Sequence, residues 1–255
     1  MPSGAVQTFS DADQYAAAIR GGAVEFTVTG RGDFNAKLVR IDLQRLWIQR
    51  FSESLPRIAD VTRLVGGRTY ITFRTKPGPS LLQSGMEIDP SAVLRFGQAH
   101  DYYQHSSGTA DFATMSLPTE DIASIAEAMS GLDVTVPADT ISVRPARIAM
   151  ASLQRLHAAA GGLPESAPEI IANPDAARGL EQTLIEAMVD CLGHEEGREN
   201  SQADGRMRPD PRQRSANLPP RTSHANETSP AACGGRASGG RGARSRCQSR
   251  CRAES

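Results

Sequence analysis

Up to about Pro118 the apolar positions recur mostly every second residue, and beyond it every third or fourth. Val24, Phe26 and Val28 alternate with Glu25, Thr27 and Thr29, which predicts a strand with one buried face. Gly30-Arg31-Gly32-Asp33 reads as a turn, and Phe34 to Leu43 and Arg45 to Phe51 as further strands. Arg68 to Thr75 alternates again, Tyr70 and Thr72 opposite Ile71 and Phe73, until Lys76-Pro77-Gly78-Pro79 breaks it. Short β segments follow at Met86–Ile88, Ala92–Phe96, Asp101–His105 and Phe112–Leu117. Many short strands between Gly and Pro turns predict a small barrel or sandwich. One short helix comes first. Ser10-Asp11-Ala12-Asp13 offers a cap with an acid three positions on, and Gly21-Gly22 stops the helix after about Arg20.

The later pattern is helical. Thr119 is expected to cap a helix through about Ser130, with Gly131 in the left-handed position that ends it. Asp133 to Val136 reads as one last strand. Ile148, Leu153, Leu156 and Ala160 mark a helix from Pro145, which Gly161-Gly162 is expected to end. Asn173-Pro174 opens the strongest helix, a side-chain cap followed by Pro at the first helical position. Ala177, Leu180, Leu184, Met188 and Leu192 form its apolar stripe, and Cys191 beside them reads as a small core residue. The predicted class is α+β, a β-barrel followed by helices, with no internal repeat.

Composition splits the chain near Gly197. Residues 198–255 carry twelve arginines, no lysine and five acidic residues, so they are +7 within a chain of net charge -1. The preceding 197 residues are therefore -8. The tail has no Val, Ile, Phe, Tyr or Trp, so apolar burial cannot offset its ordering entropy, and it is expected to be disordered. Arg, Ala, Ser, Gly, Pro and Cys make up 42 of its 58 residues, the composition of a GC-rich gene read out of frame. An evolved basic tail that binds nucleic acid through phosphate charge is the alternative, although no aromatic groups are interleaved for base stacking. No signal-peptide pattern opens the chain and no run of about 18 apolar residues occurs. A cytoplasmic protein with reduced thiols, off the membrane, is expected.

The chemistry-bearing residues give few constellations. There is no G-x-S-x-G elbow, phosphate loop or H-E-x-x-H motif, and Gly30-Arg31-Gly32-Asp33 lacks the third glycine of a dinucleotide fingerprint. Arg31-Gly32-Asp33 reads as a turn rather than as an adhesion motif. His100 and His105, with Glu87 upstream, raise the question of a metal site in a barrel. Five residues apart, the two histidines face opposite sides of a regular strand, so surface or loop positions are expected. Cys247 and Cys251 lack the second pair or the histidines of a zinc site. His157, His194, His224 and Cys233 complete the set without adding a motif. Trp47, beside Arg45 and Arg50, is the candidate ligand-binding residue, with a core role as the other reading. No catalytic, metal-binding or cofactor-binding residue is expected, nor an enzymatic activity.

The run Val28-Thr29-Gly30-Arg31-Gly32-Asp33-Phe34-Asn35-Ala36, then Arg40-Ile41-Asp42-Leu43 through Leu46-Trp47 and Arg50, resembles the N-terminal domain of a bacterial AraC-family subgroup. So do Glu53-Ser54-Leu55-Pro56-Arg57, Met115-Ser116-Leu117-Pro118 and Arg178-Gly179-Leu180-Glu181-Gln182, over roughly residues 8–197. The resemblance implies a transcriptional regulator: a cupin-like, effector-sensing barrel at 8–143, a helical dimerisation segment at 144–197, and the tail at 198–255. It further implies a small-molecule effector and a homodimer. Leu180, Leu184, Met188 and Leu192 are the expected pairing residues. The family's two helix-turn-helix units would follow Glu195-Glu196. Ser201–Ser255 has no helical period, so no DNA-reading residue is assigned, and specific operator binding is expected of the family but not of this chain. A stand-alone dimerisation module and a cupin-type enzyme are the rival readings.

Overall fold

Inward and outward residues alternate strictly along the strands at Ala23–Val28 and Arg57–Thr62, whereas the longer strands of a second sheet are buried at most positions. A computed structural model describes residues 1–97, 101–131 and 136–193. The expected tail, the strand expected from Asp133, His100, His194, His224 and the three cysteines beyond Cys191 lie outside the described residues, apart from Val136. The elements are β1 (Ser3–Phe9), α1 (Ala12–Ala18), β2 (Ala23–Val28), β3 (Ala36–Asp42), β4 (Trp47–Glu53), β5 (Arg57–Thr62) and β6 (Arg68–Arg74). There follow β7 (Leu81–Gln83), β8 (Met86–Glu87), β9 (Val93–Arg95), β10 (Tyr102–Ser106), β11 (Ala110–Pro118), α2 (Thr119–Ser130), β12 (Ile141–Val143), α3 (Arg147–Ser166), α4 (Pro168–Ala172) and α5 (Pro174–Gly193).

The expected barrel is corrected to two separate antiparallel sheets. The larger has seven strands in the order β1-β3-β4-β11-β6-β9-β12, the smaller five in the order β2-β5-β10-β7-β8. The chain changes sheet between β6 and β7, where Pro77 and Pro79 have no N–H to continue a ladder. The β7–β8 hairpin turns on Ser84 and Gly85, with φ of 49° and 81°. Two successive positive φ values in a two-residue loop are the geometry that matches strand twist.

The larger sheet is covered on both faces. Ile48, Ile71, Phe73, Ala113 and Met115 face a core shared with the helices. Phe51, Phe112, Leu38 and Leu94, one residue out of phase on their strands, face the smaller sheet together with Tyr15 and Phe34. This is why β6 is buried at almost every position instead of alternating. In the smaller sheet β5 alternates strictly, with Arg57, Ala59 and Val61 inward and Ile58, Asp60 and Thr62 outward.

Three helical expectations change. Asp11 caps α1, its side chain accepting from Gln14 N at 2.8 Å. Pro118 occupies the cap position of α2 without a side-chain bond. Thr119 is instead the first helical residue, with its hydroxyl 3.3 Å from that of Thr69. Gly131 ends α2 at φ 64° as expected. Gly161-Gly162 does not end α3, which continues to Ser166. A Cβ at Gly161 would make only ordinary contact, 3.4 Å, with Arg50 Cδ, and burial of the α3 face formed by Met150, Leu153, His157 and Ala160 outweighs the low helix propensity of the pair. The buried face of α3 is Met150, Leu153, His157 and Ala160, and Ile148 is 87% exposed. For α5 the expectation holds: Asn173 Oδ1 accepts from the backbone N–H of Asp175 and Ala176 at 3.0 and 3.1 Å. Helix α5 packs against α2, α3 and α4.

Candidate functional site

Strand β4 ends at Glu53, Ser54-Leu55-Pro56 reverses the chain, and β5 begins at Arg57. The reversal passes the chain from one sheet to the other and leaves both charged side chains between the sheets, 3% and 1% exposed. Burying a charge is tolerable only when it is paired and hydrogen-bonded. Arg57 Nε donates to Glu53 Oε2 at 2.9 Å, and the Tyr15 hydroxyl donates to Glu53 Oε1 at 2.8 Å. Arg57 Nη2 donates to Gln104 Oε1, and Gln104 Nε2 to Gln83 Oε1 at 3.4 Å. The chain of groups thus runs across adjacent strands β5, β10 and β7. Phe26 and Phe112 flank the guanidinium carbon, each ring centroid 5.5 Å away. Arg57 Nη1 has no hydrogen-bond partner.

That guanidinium lines a cavity between the sheets. Its volume is only about 40 Å³, so the space is a narrow slot. Its lining includes Val24 and Phe26 of the smaller sheet, Phe51 and Phe112 of the larger, and the ring cluster of Tyr70, Phe96 and Tyr102. Phe51 and Phe112 stack at 4.5 Å. Burial pushes the Tyr15 phenol well above its usual range, and the Glu53 charge and hydrogen bond push it the same way. Burial likewise raises Tyr102. Both stay neutral at physiological pH.

Arg20 closes another part of the slot. The Gln49 side chain pins its backbone, accepting from Arg20 N and donating to Arg20 O, both at 2.7 Å. Its guanidinium pairs with Asp42 and lies over the Trp47 ring, 3.5 Å from the centroid. Arg68 covers that ring as well, at 3.6 Å. Trp47, the candidate ligand-binding residue, is therefore clamped between Arg20 and Arg68, not Arg45 and Arg50. It is not among the residues lining the cavity.

The expected pairing residues lie elsewhere. Leu184 and Met188 are fully buried and Leu192 nearly so, in the core that α5 shares with the sheet and the other helices; half-buried Leu180 packs against it. Glu181, on the same helix, is 2% exposed and accepts from the backbone N–H of Arg45 and Leu46 at 2.6 and 3.0 Å, tying α5 to the β3–β4 turn. His105 lies on the outward face of β10, since Gln104 and Ser106 are the buried neighbours, and Glu87 is exposed. Among the described residues no group of three His, Cys, Asp or Glu is placed to hold a metal ion. His157 is fully buried, edge-on to Phe73 and 3.4 Å from Arg50 Nη1, and burial followed by that positive neighbour lowers it to about 3. Burial pushes the Cys191 thiol up to about 12, as suits a core residue.

Sequence reasoning missed Arg57, Gln104 and the role of Glu53. The signal was present but inverted. In Arg57-Ile58-Ala59-Asp60-Val61 the alternation holds only if arginine, not isoleucine, points inward.

No protein-family model matches the sequence, and no curated protein matches it. Among solved structures, the crystal structure of the AraC-like transcriptional activator CuxR aligns with 74% of this chain and 70% of its own, at 13% identity and a TM-score of 0.50. Vicilin from Corylus avellana (hazelnut) aligns with 62% of this chain and 52% of its own, at 10% identity and a TM-score of 0.17, too low to inform the fold. The chain thus shares its fold, over about three quarters of its length, with an AraC-like activator.

Proposed function

We propose that this chain is the sensor half of an AraC-type transcriptional regulator, which binds a small molecule between its two sheets and relays the occupancy to its helices. The observation that carries the reading is Arg57, a sealed guanidinium with one nitrogen, Nη1, unpartnered, lining an aromatic-walled cavity. A few polar groups converging in an apolar cavity are the usual mark of a small-molecule site. The fold shared with an AraC-like activator supports the regulatory context. The relay would run through strand alternation. Phe51 and Phe112 meet the cavity, while their neighbours Arg50 and Ala113 meet the helical side, where Arg50 reaches His157 on α3. Pairing of two subunits through the helical layer belongs to the same proposal, with the partner surface outside the buried stripe of α5.

Thermal unfolding against a library of small metabolites tests it. A ligand at a hundred times its Kd adds about 2.7 kcal/mol, which raises the Tm of a domain this size by roughly 5–10 °C. The rise should vanish in Ala59→Phe and in the milder Thr114→Leu, both of which fill the slot. A library without stabilising compounds, or stabilisation that survives both fillings, refutes the reading.

A further inference from the structure

Resting on that reading, we infer that the effector is an uncharged, flat, largely apolar molecule whose carbonyl-type oxygen accepts a hydrogen bond from Arg57 Nη1. The other guanidinium and amide nitrogens that line the cavity are largely committed. Arg57 Nε and Nη2 are committed to Glu53 and Gln104, and the Gln49 amide to the Arg20 backbone. Nη1 is buried and unpartnered, so it is the group that a ligand oxygen would satisfy. A guanidinium nitrogen only donates, so the ligand atom must accept.

Charge then selects among acceptors. The ionisable groups lining the slot are Glu53, Arg57, Arg20 and the phenols of Tyr70 and Tyr102. Glu53 neutralises Arg57 at 2.9 Å, and Asp42 pairs with Arg20. Both phenols are pushed up by burial. The lining is therefore balanced before any ligand arrives. A carboxylate would bring a second anion close to Glu53 in a largely buried site whose lining cations are already paired, and an ammonium or amidinium would face Arg57. A carbonyl, amide or similar neutral oxygen takes the N–H with neither penalty. The walls set the body: Phe26, Phe51, Phe96 and Phe112 present ring surface to a slot too narrow for a bulky, hydrated molecule such as a free sugar.

Four probes of one outline separate the terms: benzamide (neutral acceptor), benzoate (anion), benzamidine (cation) and toluene (no acceptor). Binding to the full chain at pH 7.5 is followed by ligand-observed NMR, with the Thr114→Leu variant reporting whether the signal comes from the slot. Benzamide should bind at least tenfold more tightly than the other three. Glu53→Gln should reverse the order of benzamide and benzoate, because Arg57 then lacks its counter-ion. Should that variant be poorly folded, the same reversal is read from which probe raises its Tm more. In the double variant Glu53→Gln/Arg57→Met, which leaves no buried charge alone, benzamide and toluene should become equal. Slot binding of benzoate or benzamidine as tight as that of benzamide in the unaltered chain, or no reversal in Glu53→Gln, overturns the inference and leaves the sensor reading standing. Absence of slot binding by all four overturns the inference. If the metabolite library also fails, the sensor reading falls with it.

Discussion

Replacing Leu184 with alanine separates a core role from a pairing role for α5. Leu184 has no exposed surface within one chain and sits in the core formed by α5, the other helices and the larger sheet. Removing its branched end loses transfer free energy and leaves a cavity, because the surrounding helices relax only partly. Buried Leu→Ala changes of this kind cost about 2.7–5 kcal/mol. Domain stabilities are about 5–15 kcal/mol, so the variant should fold but lie near the edge. At roughly 2–4 °C per kcal/mol for a domain of this size, Tm should fall by about 5–20 °C. The assay is urea unfolding followed by far-ultraviolet circular dichroism, at two protein concentrations a hundredfold apart, with light scattering on the same samples. The expected loss is the same at both concentrations, and the association state of the folded fraction is unchanged. If Leu184→Ala keeps full stability but dissociates, or if the loss disappears on dilution, the side chain acts between subunits rather than in the intramolecular core.

Two further outcomes follow from buried polar groups. His157 is held at about 3 against an ordinary 6.5, so between those values the unfolded chain binds a proton that the folded chain does not. Stability is therefore lost as pH falls below about 6.5, by about 2 kcal/mol at pH 5 relative to pH 7.5. His157→Leu should recover about that amount relative to the unaltered chain, and a urea-unfolding difference that stays constant between the two pH values would show that the ring is not buried neutral. Glu181→Ala orphans the buried N–H groups of Arg45 and Leu46 and should cost about 3 kcal/mol, whereas Glu181→Gln, which keeps an acceptor, should cost about half as much. Hydrogen exchange at those two amides should accelerate in the alanine variant; unchanged exchange would place the carboxylate elsewhere.

The sequence alone determined the elements whose signal is local. The alternation of Val24-Glu25-Phe26, the Asn173-Pro174 start of α5 and the glycine stop at Gly131 depend on neighbours within a turn or two of chain, and each is where the residues predict it. The change from a β-rich beginning to a helical end was legible for the same reason. Tertiary structure decided the rest. Two sheets rather than one barrel follow from which strand edges meet, and alternation carries no information about that. Strand β1 has little apolar pattern of its own and is held by pairing with β3, and a Cβ at Gly4 would come within 2.8 Å of the Ile171 side chain. The glycine pair in α3 was read as a stop because propensity is local, while the burial of Met150, Leu153, His157 and Ala160 on the same helix is not. The candidate site was hidden most completely. A buried arginine is readable only once its partners are known: Glu53, Gln104 and Phe112 reach Arg57 from three different elements, and Tyr15 reaches Glu53 from a fourth. Only the fold brings them together, and only together do they make burying that charge affordable.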